Sequence, residues 1–171
     1  MAEKLSLRDY QRDLAQRLRA ADGTRAASLL ALQVGQEGWL VDLTDAGEVL
    51  PVPVLTPVPL TKGWFRGMAN IRGNLYSVVD FARYLGRESE TSTPGSARLV
   101  LFGPRAGDMN AGLVVTRVLG LRNVAELAPA APPHDAPAWY AQRWMDGDGN
   151  AWQEIDLSIL AKDPAFLTVG L

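Results

Sequence analysis

The side chains able to do chemistry are few in this chain and poorly placed for it. His134 is the only histidine and there is no cysteine. A zinc site would therefore lack most of its usual ligands, and thiolate chemistry is excluded. A Ser-His-Asp arrangement would need His134, which lies in the proline-rich run Pro132-Pro133-His134-Asp135 and reads as a surface side chain. Asp146-Gly147-Asp148-Gly149-Asn150 opens like a calcium loop, but Ala151 stands where the turn glycine belongs and Leu157 where the bidentate Glu belongs. Between two strand-like runs, that pentapeptide reads as a hairpin tip. There is no G-x-S-x-G and no G-x-x-x-x-G-K-[ST]. The sequence nominates no catalytic residue, no metal ligand and no cofactor site.

Binding chemistry is better represented. Trp39, Trp64, Trp139, Trp144 and Trp152 could stack on bases or sugars, but their neighbours carry mixed charge, and core or interface packing is the expectation. Residues 62–80 are the richest stretch, Lys-Gly-Trp-Phe-Arg-Gly-Met-Ala-Asn-Ile-Arg-Gly-Asn-Leu-Tyr-Ser-Val-Val-Asp. Gly63, Gly67 and Gly73 allow turns or close backbone approach. Ile71, Leu75 and Val79 are positions a barrel can bury. Asn70 and Arg72 flank Ile71 and point to its opposite face if the segment is extended. Gly73-Asn74 is then a hairpin turn, which leaves Arg72 at a strand end. A guanidinium there makes several directed hydrogen bonds at once, either to a nearby acid such as Glu48 or Asp80 or to a partner.

The elements that position these residues are mostly strands. Apolar runs of about 5–9 residues, punctuated by Gly, Pro and Asp, fall at 28–34, 39–43, 48–52, 66–72, 75–79, 97–102, 111–118, 142–145 and 151–155. Many short strands at that spacing indicate small barrels or a sandwich. Pro51, Pro53, Pro57 and Pro59 mark an edge strand running into an extended loop, because proline has no N–H for a central ladder. Residues 91–96 form a small polar linker and 128–137 a second, proline-rich loop. Ahead of the strands, Leu7, Tyr10, Leu14 and Leu18 share one face of a helix that Ser6 can start and Gly23 can stop. That helix can pack on its own domain, or serve as a partner-docking arm through Tyr10, Leu14 and Leu18.

An internal repeat organises the strands. The run 40–44 resembles 113–116 at an offset of about 73, Trp64-Phe65 resembles Trp139-Tyr140 at 75, and Val79-Asp80-Phe81 resembles Ile155-Asp156-Leu157 at 76. Three matches in one order imply two copies of one unit. In each copy an Asp ends a strand and caps a short helix, at 81–85 before Gly86 and at 157–161, stopped near Pro164.

Composition sets the outer limits. Of the 171 residues, 47% are hydrophobic and 21% charged, which suits a globular domain with a real core. A net charge of -2 gives no overall attraction to nucleic acid or anionic membrane. No apolar run approaches the roughly 20 residues that cross a bilayer. The first 23 residues hold no signal-peptide core, so a cytoplasmic chain is expected.

Gly67-Met-Ala-Asn-Ile-Arg-Gly73, followed by Val78-Val79-Asp80-Phe81, resembles the G-x-x-N-L-R-G…P-V-V-D-L signature of CheW-type coupling proteins. The segments 40–49, 111–118 and Glu154-Ile-Asp-Leu157 are similar to that family as well, so the resemblance runs from Ser28 to Ala161. It implies a mainly β fold of two intertwined five-stranded SH3-like barrels with short helices and a hydrophobic groove between them. The implied arrangement is an N-terminal helical extension over 1–25, a CheW-like domain over 26–165 and a tail over 166–171. The implied role is non-enzymatic: an adaptor between a chemoreceptor (methyl-accepting chemotaxis protein) cytoplasmic tip and the regulatory domain of a CheA-type histidine kinase. It would meet the membrane only through the receptor, and by matching position Glu48, Asn70, Ile71, Arg72 and Gly73 would bind that receptor. Ala46, Gly47 and Ser77 depart from the usual pattern, Ser77 standing where Pro is usual. The N-terminal extension and the general character of the sequence resemble the PilI-like branch of twitching-motility (type IV pilus) systems. Three other readings stay open: a barrel that binds a small ligand or nucleic acid, an enzyme of unknown type, and an adaptor outside chemosensing.

Overall fold

A computed structural model describes residues 28–89 and 95–171. The expected helix bearing Tyr10, Leu14 and Leu18 lies outside them, as does most of the 91–96 linker. In chain order the elements are β1 (Ser28–Val34), β2 (Glu37–Asp42), β3 (Ala46–Pro51), β4 (Phe65–Ile71), β5 (Asn74–Asp80), α1 (Phe81–Tyr84), β6 (Arg98–Phe102), β7 (Ala111–Val115), β8 (Arg117–Asn123), β9 (Ala128–Ala130), β10 (Tyr140–Met145), β11 (Ala151–Ile155), α2 (Leu157–Leu160) and α3 (Pro164–Leu167). They form a six-stranded sheet, β8-β1-β2-β11-β10-β9, and a five-stranded sheet, β3-β6-β7-β5-β4.

The two sheets repeat one another, and the ladders show it residue by residue. One row runs Leu121, Leu30, Val41, Ile155, Tyr140 across the first sheet. Its counterpart runs Val49, Val100, Leu113, Val79, Phe65 across the second. The central seam of each is parallel, β2 with β11 and β5 with β7. Asp80 donates its N–H to Trp64 O at 2.8 Å and Asp156 donates to Trp139 O at 2.9 Å. Both aspartates then cap a helix, Asp80 Oδ1 accepting from Arg83 N and Asp156 Oδ1 from Ile159 N. The expected two copies are therefore present. By position in the two rows Val41, rather than Leu40, corresponds to Leu113, one residue away from the sequence match. Each sheet also draws strands from both halves of the chain, which is the intertwining.

Alternation along the strands sorts side chains into three cores. Leu30, Leu32 and Val34 of β1 face a central cluster shared with Val79, Val100, Leu113 and Ile155, while Leu29 and Ala31 face a smaller interior with Leu40 and Trp152. In the second sheet Leu99 and Leu101 turn the other way, toward Ala69 and Val78. With both faces covered, the strands read as almost unbroken aliphatic runs. Each fully buried Leu, Ile or Val contributes about 1.5–3 kcal/mol. Trp39, Trp139 and Trp152 are buried, in agreement with the packing expectation.

Several expected bounds shift for identifiable reasons. The run 111–118 is two strands, because the chain leaves one sheet and enters the other at Thr116, whose N–H meets Gln33 O at 2.9 Å and whose Oγ1 accepts from Gly35 N. β8 and β9 escaped the pattern as edge strands. β8 leaves Leu119 and Leu121 exposed and bulges between Ala31 and Leu32 of its partner, and β9 is three residues long with a proline. Pro164 starts α3 rather than merely stopping α2. α3 straddles the expected boundary at 165, and its Phe166 is buried in the central core. Gly86 does end α1: it donates to Arg83 O while Arg87 donates to Ala82 O, a Schellman closure.

Candidate functional site

The signature segment is a bulged strand, a tight turn and a return strand, and each conspicuous residue has a physical task. Gly67 sits at the bulge of β4 with φ +123. A Cβ there would lie 2.2 Å from Thr56 O. Its absence lets the chain leaving β3 lie back along β4, with Thr56 N to Met68 O at 2.8 Å and Met68 N to Thr56 O at 2.9 Å.

Arg72 and Gly73 are the two central residues of the β4–β5 turn, with φ +52 and +85, and Ile71 pairs with Asn74 across it. Positive φ at both positions is the I′ geometry that suits strand twist. The expected turn at Gly73-Asn74 is therefore one residue too late, and Arg72 lies in the turn itself. An Arg in left-handed backbone is uncommon. Asn70 holds it there: its Oδ1 accepts from Gly73 N at 2.9 Å. Asp146 does the same work at the matching turn of the other sheet, accepting from Asp148 N and Asn150 N. The Trp152 indole also donates to Asp146 at 3.0 Å and, with Asn150, holds its carboxyl well below the usual carboxylate range. The 146–150 segment is a hairpin tip, and the His134 side chain is fully exposed.

Arg72 donates to both oxygens of Glu48, Nη1 to Oε2 and Nη2 to Oε1, each at 2.6 Å. The fork lowers the Glu48 carboxyl and raises the guanidinium, through that hydrogen bond first. Glu48 lies on β3, one edge of the five-stranded order, and Arg72 lies in the turn leading off β4, the other edge. The pair therefore clasps the two ends of an open sheet. It stands in solvent, with Arg72 74% exposed and Glu48 40%, so it contributes little to folding. What it supplies is a fixed orientation for two charges on an outer surface. Asp80, the other acid considered for Arg72, is buried and answers Arg66 at 3.5 Å and Arg83 at 3.7 Å.

The remaining expected positions divide. Ile71 packs on the interior of its own sheet. Leu75 points to the same side as the buried Val79 but is 59% exposed, because it lies at the far end of β5 beyond the covering elements. Sequence reading missed Val49 and Leu121, which occupy the outer ends of the two matched rows. Both face the central core from edge strands and both remain exposed. Only strand pairing, which alternation does not give, could have found them. Gly47 is closely approached, and a Cβ there would lie 3.0 Å from Phe102 O, a tight contact that the neighbouring backbone would have to ease by a few tenths of an ångström. Ser77 donates its N–H to Asn110 O at 2.9 Å, a bond that proline could not make.

Comparison with known proteins agrees with this geometry. A model of the CheW-like domain matches residues 28–165. The chain is 32% identical over 152 residues to Protein PilI of Pseudomonas aeruginosa, covering 88% of this chain and 84% of that protein. It is 31% identical over 133 residues to Protein FrzA of Myxococcus xanthus, covering 77% and 81%. The solved structure of scaffolding protein TtCheW from Thermoanaerobacter tengcongensis shares the fold with a TM-score of 0.62 at 19% identity, over 77% of this chain and 89% of that one.

Proposed function

This chain belongs to the CheW-like domain family, and from that membership we propose that it is a non-enzymatic adaptor joining a chemoreceptor cytoplasmic tip to the regulatory domain of a CheA-type histidine kinase. Chemotaxis and type IV pilus signalling are the two settings, and the likeness to PilI favours the second. The observation that carries the reading is the exposed, bidentate Glu48–Arg72 clasp, built on the Asn70-braced turn and flanked by the exposed side chains of Leu75 and Val49. Oriented charge beside apolar surface is the make-up of a specific docking patch. We assign Glu48, Asn70, Arg72 and Gly73 to the receptor side, with Ile71 supporting them from within. The kinase meets a separate face. Binding both at once raises the effective concentration of each for the other. Among the described residues no helix is long and apolar enough to cross a membrane. A cytoplasmic protein recruited to receptor arrays fits this role.

The test is capture by a receptor tip hairpin and, separately, by the kinase regulatory domain of the same organism. Arg72→Glu places a carboxylate against Glu48 and should lower receptor affinity by about tenfold. Kinase affinity and the circular dichroism spectrum should stay as they were. Unchanged receptor affinity would reject the assignment.

A further inference from the structure

The repeat leaves a matching apolar position at one edge of each sheet, and the two have different surroundings. Val49 ends its row next to the Glu48–Arg72 clasp, and Leu121 ends the matching row on β8. Leu121 is 61% exposed, on the side of the buried Leu30 with which it pairs. Two more apolar side chains stand open at that end of the six-stranded sheet, Leu43 and Ile159, each 41% exposed. Leu43 follows Asp42, the ladder partner of Leu29. Ile159 donates its N–H to Asp156, the residue after Ile155, which pairs with Val41. β1 enters the sheet at this same end, with Ser28 opposite Asn123. Leu121 therefore lies one strand across and two residues along from Ser28, about 8 Å away.

The sequence ahead of Ser28 supplies a matching surface. Leu7, Tyr10, Leu14 and Leu18 make one apolar stripe on the expected helix, about 16 Å long. A lone helix of that length is marginal in water, so packing of the stripe must stabilise it. Residues 19–27 join it to β1 and span at most about 30 Å, with Gly23 able to turn the chain back. Leu121 is well within that reach. Charge selects this occupant over a second copy of the chain. Residues 1–27 hold six basic and four acidic side chains in a chain of net charge -2, so the remainder is the more acidic. The sheet end beside Leu43 bears Asp42, Asp45 and Asp156, near enough that Asp156 and Asp42 add to burial in raising the Asp45 carboxyl. Two such ends repel one another, whereas a net basic arm is drawn in. We propose that residues 7–22 dock as a helix on their own domain, the stripe of Leu7, Tyr10, Leu14 and Leu18 covering Leu121, Leu43 and Ile159. One copy of the repeated edge is then closed by the chain itself, and the other, at Val49, stays exposed. The contact stands whether or not the clasp meets a receptor.

The chain has no cysteine, so engineered pairs report on this contact without background. In the full chain under mild oxidation, Leu14→Cys with Leu121→Cys should close an intramolecular disulfide. Gln16→Cys with Leu121→Cys should do so about tenfold more slowly, because position 16 lies on the opposite side of the helix and the bond tolerates little separation. Without cysteines, Leu121→Ser should speed trypsin cleavage after Arg17 and Arg19 by about tenfold, since the docked state loses the burial of that leucine. Val49→Ser, the counterpart in the other sheet, should leave the cleavage rate as it is. Tryptophan fluorescence, which has no reporter in residues 1–27, checks that the sheets stay folded in each variant. Equal rates for the two cysteine pairs, a disulfide joining two chains as the main product, or unchanged cleavage in Leu121→Ser would overturn the proposal.

Discussion

Two glycines of the signature segment should respond very differently to the same substitution. At Gly67 an added Cβ meets Thr56 O at 2.2 Å, Thr56 C at 2.8 Å and Pro57 Cα at 3.0 Å, all backbone, on top of a φ of +123. Relief requires pushing away the segment that exchanges two hydrogen bonds with Met68. Positive φ costs a residue with a side chain about 1–3 kcal/mol, and each lost backbone bond about 1 kcal/mol. Gly67→Ala should therefore destabilise by roughly 3–5 kcal/mol, a large share of the ~5–15 kcal/mol of a typical domain. At Gly73 the φ is +85 but nothing lies within 4 Å of the added atom, so Gly73→Ala should cost about 1–2 kcal/mol. Urea unfolding followed by tryptophan fluorescence reads both. At roughly 2–4 °C per kcal/mol for a chain of this size, the thermal midpoints should differ by several degrees. If Gly67→Ala were no worse than Gly73→Ala, close approach would not be the reason for glycine at the bulge.

Phe166 stacks on Phe102 at 5.8 Å and on Trp64 at 6.2 Å, and meets Tyr84 edge-on at 5.4 Å. Phe166→Ala should cost about 3–5 kcal/mol in denaturant unfolding, and a loss under 1 kcal/mol would place α3 outside the core. Glu154 has its carboxyl raised, chiefly by burial, against the 2.7 Å hydrogen bond from the Trp144 indole. A raised acid binds its proton more tightly folded than unfolded, so its contribution is full below the ordinary value of 4.5 and is lost as pH rises through the folded value. Glu154→Gln should then be more stable than the parent near neutral pH, with the gap closing in acid. An advantage that grew as pH fell would refute the sign.

The sequence carried most of the strands because burial on both faces leaves unbroken aliphatic runs, as in Ser28–Val34 and Ala151–Ile155. It also carried the repeat, since Asp80 and Asp156 must each stop a strand and cap a helix. The edges were harder to read. Arg117–Asn123 has no alternating burial and Ala128–Ala130 is too short for a pattern. The sequence puts Arg72 at a strand end because arginine is an unusual choice for a left-handed turn, and the Asn70 brace is what makes it tolerable there. Glu48 stands beside Asp80 as a candidate acid for Arg72, and local spacing does not choose between them, because nothing in it says that two sheet edges meet.

The parallel seam of β2 with β11 has a price during synthesis. β2 emerges from the ribosome early, yet its second neighbour is β11, which lies near the far end of the chain. Until Ala151–Ile155 is made, the edge carrying Trp39, Leu40 and Val41 faces the cell unpaired, an aliphatic template for any strand nearby. Closure waits on contacts of long sequence separation, so maturation should be slow for a domain of this length. The nascent polypeptide is a natural client for a holdase chaperone over that interval.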